Sequence, residues 1–267
     1  MVKFQSEKVT NHITRIISPF QVCMYLVEGD RSAVLLDTGF GVGSLKSYVD
    51  TLTDRPYEVI ISHGHLDHAG GAGEFTRAYL NERDWELEKA HCTKERRLFE
   101  VYHGPEGVPE GVTEEDVIPS RTQPYLPVDE GMNFDLGGVT VIPIATPGHT
   151  SGSLMFLIPE DRVCITGDAL GEHTLLHFPE GVSISEYKKS LIHLCEFEDQ
   201  FDIVLRNHGG FISEKSIVRD CIELCGEILA RKDAAVPITF HETQGLMGRE
   251  EVHPGKAGNI VYNPKNL

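Results

Sequence analysis

The chain predicts a mixed α/β fold in one domain spanning residues 1–267, and three observations carry that expectation. Short β-branched runs recur and end in glycine beside a polar residue. Stretches with apolar residues at helical spacing lie between them. The length, 267 residues, suffices to bury one sizeable core without disulfides.

The elements follow in order. Val22 to Val27 and Ala33 to Leu36, separated by Glu28-Gly29-Asp30, read as a hairpin. Residues 43–53 carry Leu45, Tyr48, Val49 and Leu52 at helical spacing. Val59-Ile60-Ile61 is a strand, and Gly70-Gly71 leads into a helix expected around Gly73 to Leu80. Residues 82–102 are charged and predict a helix, in which Lys94, Arg96 and Arg97, diluted by Glu95 and Glu100, read as a solvated face. Residues 104–128 are rich in proline, glycine and acid. The stretch 82–130 is therefore long for a connection, and is a candidate substrate lid with Tyr102, His103 and Tyr125 as contacts, weighed evenly against an ordinary surface excursion.

Strands resume at Val139 to Ile144, Val163 to Ile165 and Ile203 to Leu205. Ser183-Ile184-Ser185-Glu186 is a capping box ahead of a helix containing Tyr187, Leu191, Leu194 and Cys195. A second helix is expected from near Ser213, with Ile217, Cys221, Leu224, Cys225 and Ile228 forming a core-facing stripe. The tail from Pro237 is glycine-rich and carries a last apolar run, Ile260-Val261-Tyr262.

Charge and cysteine usage bound the function. A formal net charge of −17 works against any surface that tracks phosphates, so no nucleic-acid partner is expected. No segment approaches the ~20 apolar residues that span a bilayer, and the start has no apolar signal block. A cytoplasmic protein with no membrane partner is the expectation. The six cysteines, at 23, 92, 164, 195, 221 and 225, are scattered and read as reduced core thiols.

The strongest signal is His63-Gly64-His65-Leu66-Asp67-His68, directly behind the strand at Val59. Imidazole and carboxylate are the ligands that zinc, iron and manganese take where no thiolate is offered. Alternate residues of an extended chain face one way, so His63, His65 and Asp67 converge only with local coiling, while His68 faces elsewhere. That spacing suggests two neighbouring metal sites. Three further strand ends offer partners: His149 after Pro147-Gly148, Asp168 after Gly167, and His208 before Gly209-Gly210. Taken one at a time these are weak signals, since an aspartate after a strand is usually a turn former. Asp37, in Asp37-Thr38-Gly39, reads equally as a turn cap or as a carboxylate supporting the ligand loop. His173 and His177 read as surface or core histidines beside the pocket.

With Asp37, the six-residue cluster, His149, Asp168 and His208 in this order, the chain resembles the metallo-β-lactamase-fold hydrolase superfamily. The resemblance implies a four-layer αββα sandwich and a dinuclear site. In it, His63, His65 and His149 would hold one metal, Asp67, His68 and His208 the other, and Asp168 would bridge. The implied cofactors are two divalent ions, Zn2+ foremost, with Fe or Mn as alternatives. The implied reaction is hydrolysis of a small ester, thioester or lactone by a metal-bridging hydroxide, with Asp67 as the catalytic carboxylate and a small molecule as the substrate. A phosphodiesterase and an iron redox protein are the competing readings.

Departures from particular subfamilies narrow this. True β-lactamases of the fold carry cysteine or serine where this chain has Asp168. Oxygen-reducing relatives carry glutamate where it has His65. Quorum-signal lactonases place a tyrosine where it has Gly171. Glyoxalase II-like thioesterases share the ligand set, but their glutathione-binding helical region has only a short counterpart after Ser213.

Overall fold

The computed structural model describes residues 2–104, 107–251 and 257–267. Its contacts divide the chain into two compact units, residues 1–141 and 142–267.

In the first unit a seven-stranded sheet runs in sequence order. Strands β1 (Gln5–Lys8), β2 (Ile13–Ile17), β3 (Cys23–Glu28) and β4 (Ala33–Leu36) form an antiparallel meander. A crossover through α1 (Leu45–Val49), capped by the Ser44 side chain, brings β5 (Tyr57–Ile60) parallel to β4. Two short parallel strands, β6 (Tyr79–Leu80) and β7 (Leu126–Pro127), complete the edge. Helices α2 (Leu66–Ala69), α3 (Trp85–His91) and α4 (Lys94–His103) belong to this unit. Met24, Leu26, Leu35, Val59 and Ile61 pack with Leu66 and Leu80 in its core. Strand β8 (Phe134–Asp135) pairs with the first residues of β9 (Thr140–Ala145).

In the second unit the rest of β9 pairs with β10 (Leu154–Ile158), and β10 with β11 (Val163–Ile165). The parallel strand β13 (Ile203–Leu205) and the edge strand β14 (Ile212–Glu214) follow. A second sheet has the order β12 (Thr174–Leu176), β17 (Ile260–Tyr262), β16 (Thr243–Met247), β15 (Val236–Phe240). Ser183 caps α5 (Ile184–Leu194) as the capping box predicts. The stripe Ile217, Cys221, Leu224, Cys225 and Ile228 of α6 (Ser216–Leu229) is buried, in one core with Tyr187, Leu191 and Leu194. None of the six cysteines is in a disulfide and five are buried, and burial holds Cys164 up at about 12. No helix among the described residues is long and apolar enough to cross a membrane.

Three expectations need correction and a fourth a small shift. The helix at Gly73 to Leu80 is absent: a 3-10 turn over Gly70–Glu74 gives way to β6. The glycines there serve close backbone approach, since a Cβ on Gly71 would lie 2.3 Å from Thr38 O and one on Gly73 2.3 Å from Pro119 O. Arg97 is not on a solvated face. It is fully buried and donates to the carbonyls of Phe40, Gly41, Cys92 and Ile118. The helix expected from near Ser213 is present, with its start shifted to Ser216 because Ser213 pairs with Val204 in β14. The tail is not a plain glycine-rich segment but the β15–β16 hairpin, whose Gly245 packs on the His177 ring.

Residues 82–130 hold α3, α4, a 3-10 turn over Glu114–Asp116 and β7; residues 105–106 lie outside the described ones. Val101, Val112 and Val117 of this stretch pack with Phe20, Val22 and Val42. Tyr102 is exposed, His103 stacks on Phe99 at 4.6 Å, and Tyr125 Oη donates to the buried Glu88 at 3.1 Å.

Candidate metal centre

Two parallel strands of the first unit deliver the first ligand group. After β4 the chain turns at Asp37, in the left-handed region at φ 65°, which aspartate tolerates better than most residues. After β5 come Ile61, Ser62 and the ligand cluster. His63 and His65 lie on the loop, His65 as the residue capping α2, and Asp67 and His68 lie in that helix. This is the local coiling the spacing demands. The rings of His63 and His65 are 4.9 Å apart and those of His63 and His68 4.2 Å, while Asp67 Oδ2 is 3.5 Å from His68 Nε2. His63 and His65 share one candidate ligand group and Asp67 and His68 another, so the cluster serves two neighbouring groups, as the spacing suggests.

Asp37 organises this group. Its Oδ1 accepts from Ser62 N at 2.7 Å, and its Oδ2 accepts from Ser62 Oγ at 2.9 Å and lies 2.9 Å from His68 Nδ1. Ser62 Oγ is also 3.0 Å from His63 Nδ1. A carboxylate only accepts, so it holds the proton of His68 on Nδ1. Because the hydroxyl hydrogen of Ser62 points at Asp37, its oxygen accepts from His63 Nδ1. Both imidazoles thus present a bare Nε2, the form a metal requires. Asp37 is both readings at once, turn residue and supporting carboxylate.

A second buried carboxylate, Asp84, accepts from Gly64 N at 2.9 Å, where a Cβ would lie 2.8 Å from Asp84 O. His91 of α3 stacks on His65 at 5.0 Å and 17°. Sequence reasoning passed over Asp84 and His91 because they lie in a charged helical stretch with no strand end to mark them.

The second unit places the other ligand group at three strand ends. His149 follows β9, and its Nδ1 is 2.6 Å from Leu175 O, which leaves Nε2 as the outward nitrogen. Asp168 follows β11 and a Gly167 at φ 52°. Tyr187 Oη donates to the next carbonyl, Ala169 O, at 2.8 Å, and burial pushes that phenol's pKa well up. His208 follows β13. Asp168 Oδ2 faces His149 Nε2 at 3.7 Å and Oδ1 faces His208 Nε2 at 3.4 Å, so its two oxygens address two different imidazoles. His173 is exposed and lines a cavity beside Asp168, while His177 is buried against Phe178 at 4.2 Å, where desolvation lowers its pKa.

The donor chemistry fits divalent metal ions. Both groups are built from imidazole nitrogens and carboxylate oxygens, with ligand atoms of His63 and His65, of Asp67 and His68, and of Asp168 and His208 within 4.8 Å of each other. Three of the imidazoles are oriented through Nδ1, the arrangement that holds ligands for a metal at Nε2.

Comparison with known proteins agrees. Residues 17–200 match the metallo-β-lactamase superfamily. The chain is 25% identical over 193 residues, 66% of its length and 68% of the relative's, to an acyl-coenzyme A thioesterase (MBLAC2) of Bos taurus. It is 26% identical over 200 residues, 73% of its length and 38% of the relative's, to an atrochrysone carboxyl ACP thioesterase of Aspergillus fumigatus. A metallo-β-lactamase from Pontibacter korlensis shares its fold, with a TM-score of 0.59 at 13% identity over 84% of this chain and 99% of that one. The mixed α/β fold, the His/Asp clusters and the match over residues 17–200 agree, and this chain belongs to the metallo-β-lactamase superfamily as one of its hydrolases.

Proposed function

We propose that the chain is a dinuclear metallohydrolase acting on a small thioester, ester or lactone, with thioesters foremost. One observation carries the reading: Asp168 offers one oxygen to each of two imidazoles, as a carboxylate bridging two ions must. The thioesterase names of two relatives support the choice of substrate class. His63, His65 and His149 would hold one ion, Asp67, His68 and His208 the other, and Asp168 both, with zinc the favoured metal.

Bound divalent ions supply Lewis acidity, which acidifies water and polarises a carbonyl. The chain's own residues supply the rest. Asp37 holds the His68 proton on Nδ1 directly and the His63 proton through Ser62. Leu175 O does the same for His149. Asp67, the more exposed partner of the Asp67–His68 pair, takes a proton from water at its carboxylate and returns it to the departing thiolate or alkoxide.

The test pairs elemental analysis with a substrate panel of thioesters, esters, lactones and phosphodiesters. Wild type is expected to hold two ions and to turn over carbonyl substrates. Asp168→Ala should lose metal and activity together while remaining folded by circular dichroism. Two tightly held ions with full turnover in Asp168→Ala would overturn the bridging role, and turnover of phosphodiesters alone would overturn the carbonyl chemistry. A coloured, redox-active iron centre would point away from hydrolysis.

A further inference from the structure

Residues 142–267 line a half-open cavity of about 410 Å³ with Asp168 and His208 among its lining residues. Resting on the hydrolase reading above, we propose that this cavity is an acyl-chain pocket. It takes an uncharged, unbranched hydrocarbon of roughly eight to twelve carbons and leaves the substrate's carbonyl carbon at Asp168 and His208.

The wall is built by the second sheet of this unit. Leu175 of β12 pairs directly with Val261 of β17, and Val261 pairs directly with Met247 of β16. Residues opposite one another on neighbouring strands project to the same face, so these three form one apolar row across the sheet. Ile238 of β15 extends it, and Leu170, fully buried, closes the side next to Asp168. The row is a lining rather than core, because the cavity lies in front of it.

Charge favours an uncharged occupant along the row. Arg206 is the sole Lys or Arg among the described lining residues, and it stands at the rim, where its Nη2 donates to Glu172 Oε1 at 2.9 Å and to Ile212 O at 3.3 Å. A phosphate or carboxylate placed against the row Leu175, Val261, Met247 and Ile238 would meet no Lys or Arg in that row, and desolvating it there would be costly. A hydrocarbon meets no such penalty.

Phe240 supplies the third observation. It lies at the end of β15, lines the cavity and is 37% exposed, high for a phenyl ring beside apolar walls. The two residues after it, His241 and Glu242, turn the hairpin at φ 45° and 61°, a left-handed conformation that side-chain-bearing residues rarely adopt. Such a tight turn fixes where β15 ends and hence where Phe240 stands. Size follows from comparison: an apolar cavity of about 150 Å³ takes the six carbons of one benzene ring, so 410 Å³ has room for roughly sixteen, and with about a third of the lining polar (Asp168, Glu172, His173, Arg206 and His208) roughly eight to twelve remain for the chain.

The test uses the full chain loaded with zinc and two homologous series. Calorimetric titration with primary amides from acetamide to dodecanamide should show affinity rising about fourfold per methylene, then levelling between roughly eight and twelve carbons. The kcat/KM values of acyl thioesters of the same lengths should follow the same curve. Met247→Trp should move the plateau to shorter chains and lower the octanoyl-to-acetyl ratio of kcat/KM at least tenfold. Phe240→Ala, at a half-exposed position that leaves the core intact, should weaken decanamide binding several-fold and acetamide binding much less. Amide affinities that do not depend on chain length, or a plateau unmoved in both variants, would overturn the pocket. Chain-length-dependent amide binding without turnover of any thioester, ester or lactone would instead overturn the hydrolase reading and leave the pocket standing.

Discussion

Asp37→Asn tests the way two imidazoles are prepared for metal. Asparagine is chosen because it keeps the shape of the side chain and tolerates the left-handed φ of 65° that alanine would strain. Its carbonyl oxygen can still accept from Ser62 N, but an NH2 group then stands where Oδ2 meets His68 Nδ1 and Ser62 Oγ, each at 2.9 Å. A donor there turns His68 Nδ1 into an acceptor and moves the ring proton to Nε2. The Ser62 hydroxyl, which no longer has a carboxylate to donate to, swings toward His63 Nδ1 at 3.0 Å and has the same effect on that ring. Two ligand nitrogens are thus blocked by one atom's change. Loss of a supporting carboxylate typically weakens metal affinity 10–100-fold, which is about 1.4–2.7 kcal/mol per metal. Stability of the metal-free chain should fall by no more than about 3 kcal/mol, the worth of a hydrogen bond to a charged group. Dialysis against graded chelator concentrations, followed by elemental analysis, reads the affinity, and a urea titration reads the fold. If Asp37→Asn kept wild-type affinity for both ions, the relay through Ser62 would be wrong.

Two further predictions follow from groups that serve the fold. Arg97→Met leaves the carbonyls of Phe40, Gly41, Cys92 and Ile118 without their shared donor, and should lower unfolding free energy by about 3–5 kcal/mol in urea titration, with Arg97→Lys rescuing little because an ammonium cannot span the fork. Burial holds the Glu88 carboxyl above its ordinary range, so the folded chain binds that proton more tightly than the unfolded chain does. Stability from this group is full below the ordinary carboxylate range and is lost as pH rises through the raised pKa. Glu88→Gln keeps an acceptor for Tyr125 Oη and removes that loss. Urea midpoints measured between about pH 4 and pH 8 should show the variant gaining on wild type as pH rises, and parallel curves would refute the assignment.

What was legible in the sequence was local. A β-branched run ending in glycine and histidine marks its own strand end, which is why His63, His149 and His208 could be placed, and the α6 stripe carries its own period. What was illegible depended on partners remote in the chain. Arg97 looks solvated until four carbonyls from three separate segments converge on it. The glycines at 70, 71 and 73 look like a helix start until Phe40, Thr38 and Pro119 are seen against them. The β15–β16 hairpin escaped notice because its turn is His241-Glu242, whereas the asparagine or glycine usual in such turns would have flagged it. Asp37 could not be decided from sequence since both of its roles predict the same residue.

The glycine contacts beneath the first ligand group have a thermodynamic consequence. Gly71 N donates to Gly39 O and Thr38 N to His68 O, while Gly70 and Gly71 press on Phe40 O and Thr38 O with no room for a side chain. The loop is therefore clamped by peptide groups of its own unit, and its rings are aimed by Asp37 and Ser62. In small zinc modules the ion and the fold arrive together, because the free chain has no shape to which an ion could bind. Here the chain has already lost the conformational entropy of this loop on folding. An arriving ion meets nitrogens that need only shed water, so affinity reflects ligand chemistry undiluted by chain ordering, and chelation removes the chemistry while the scaffold stays intact.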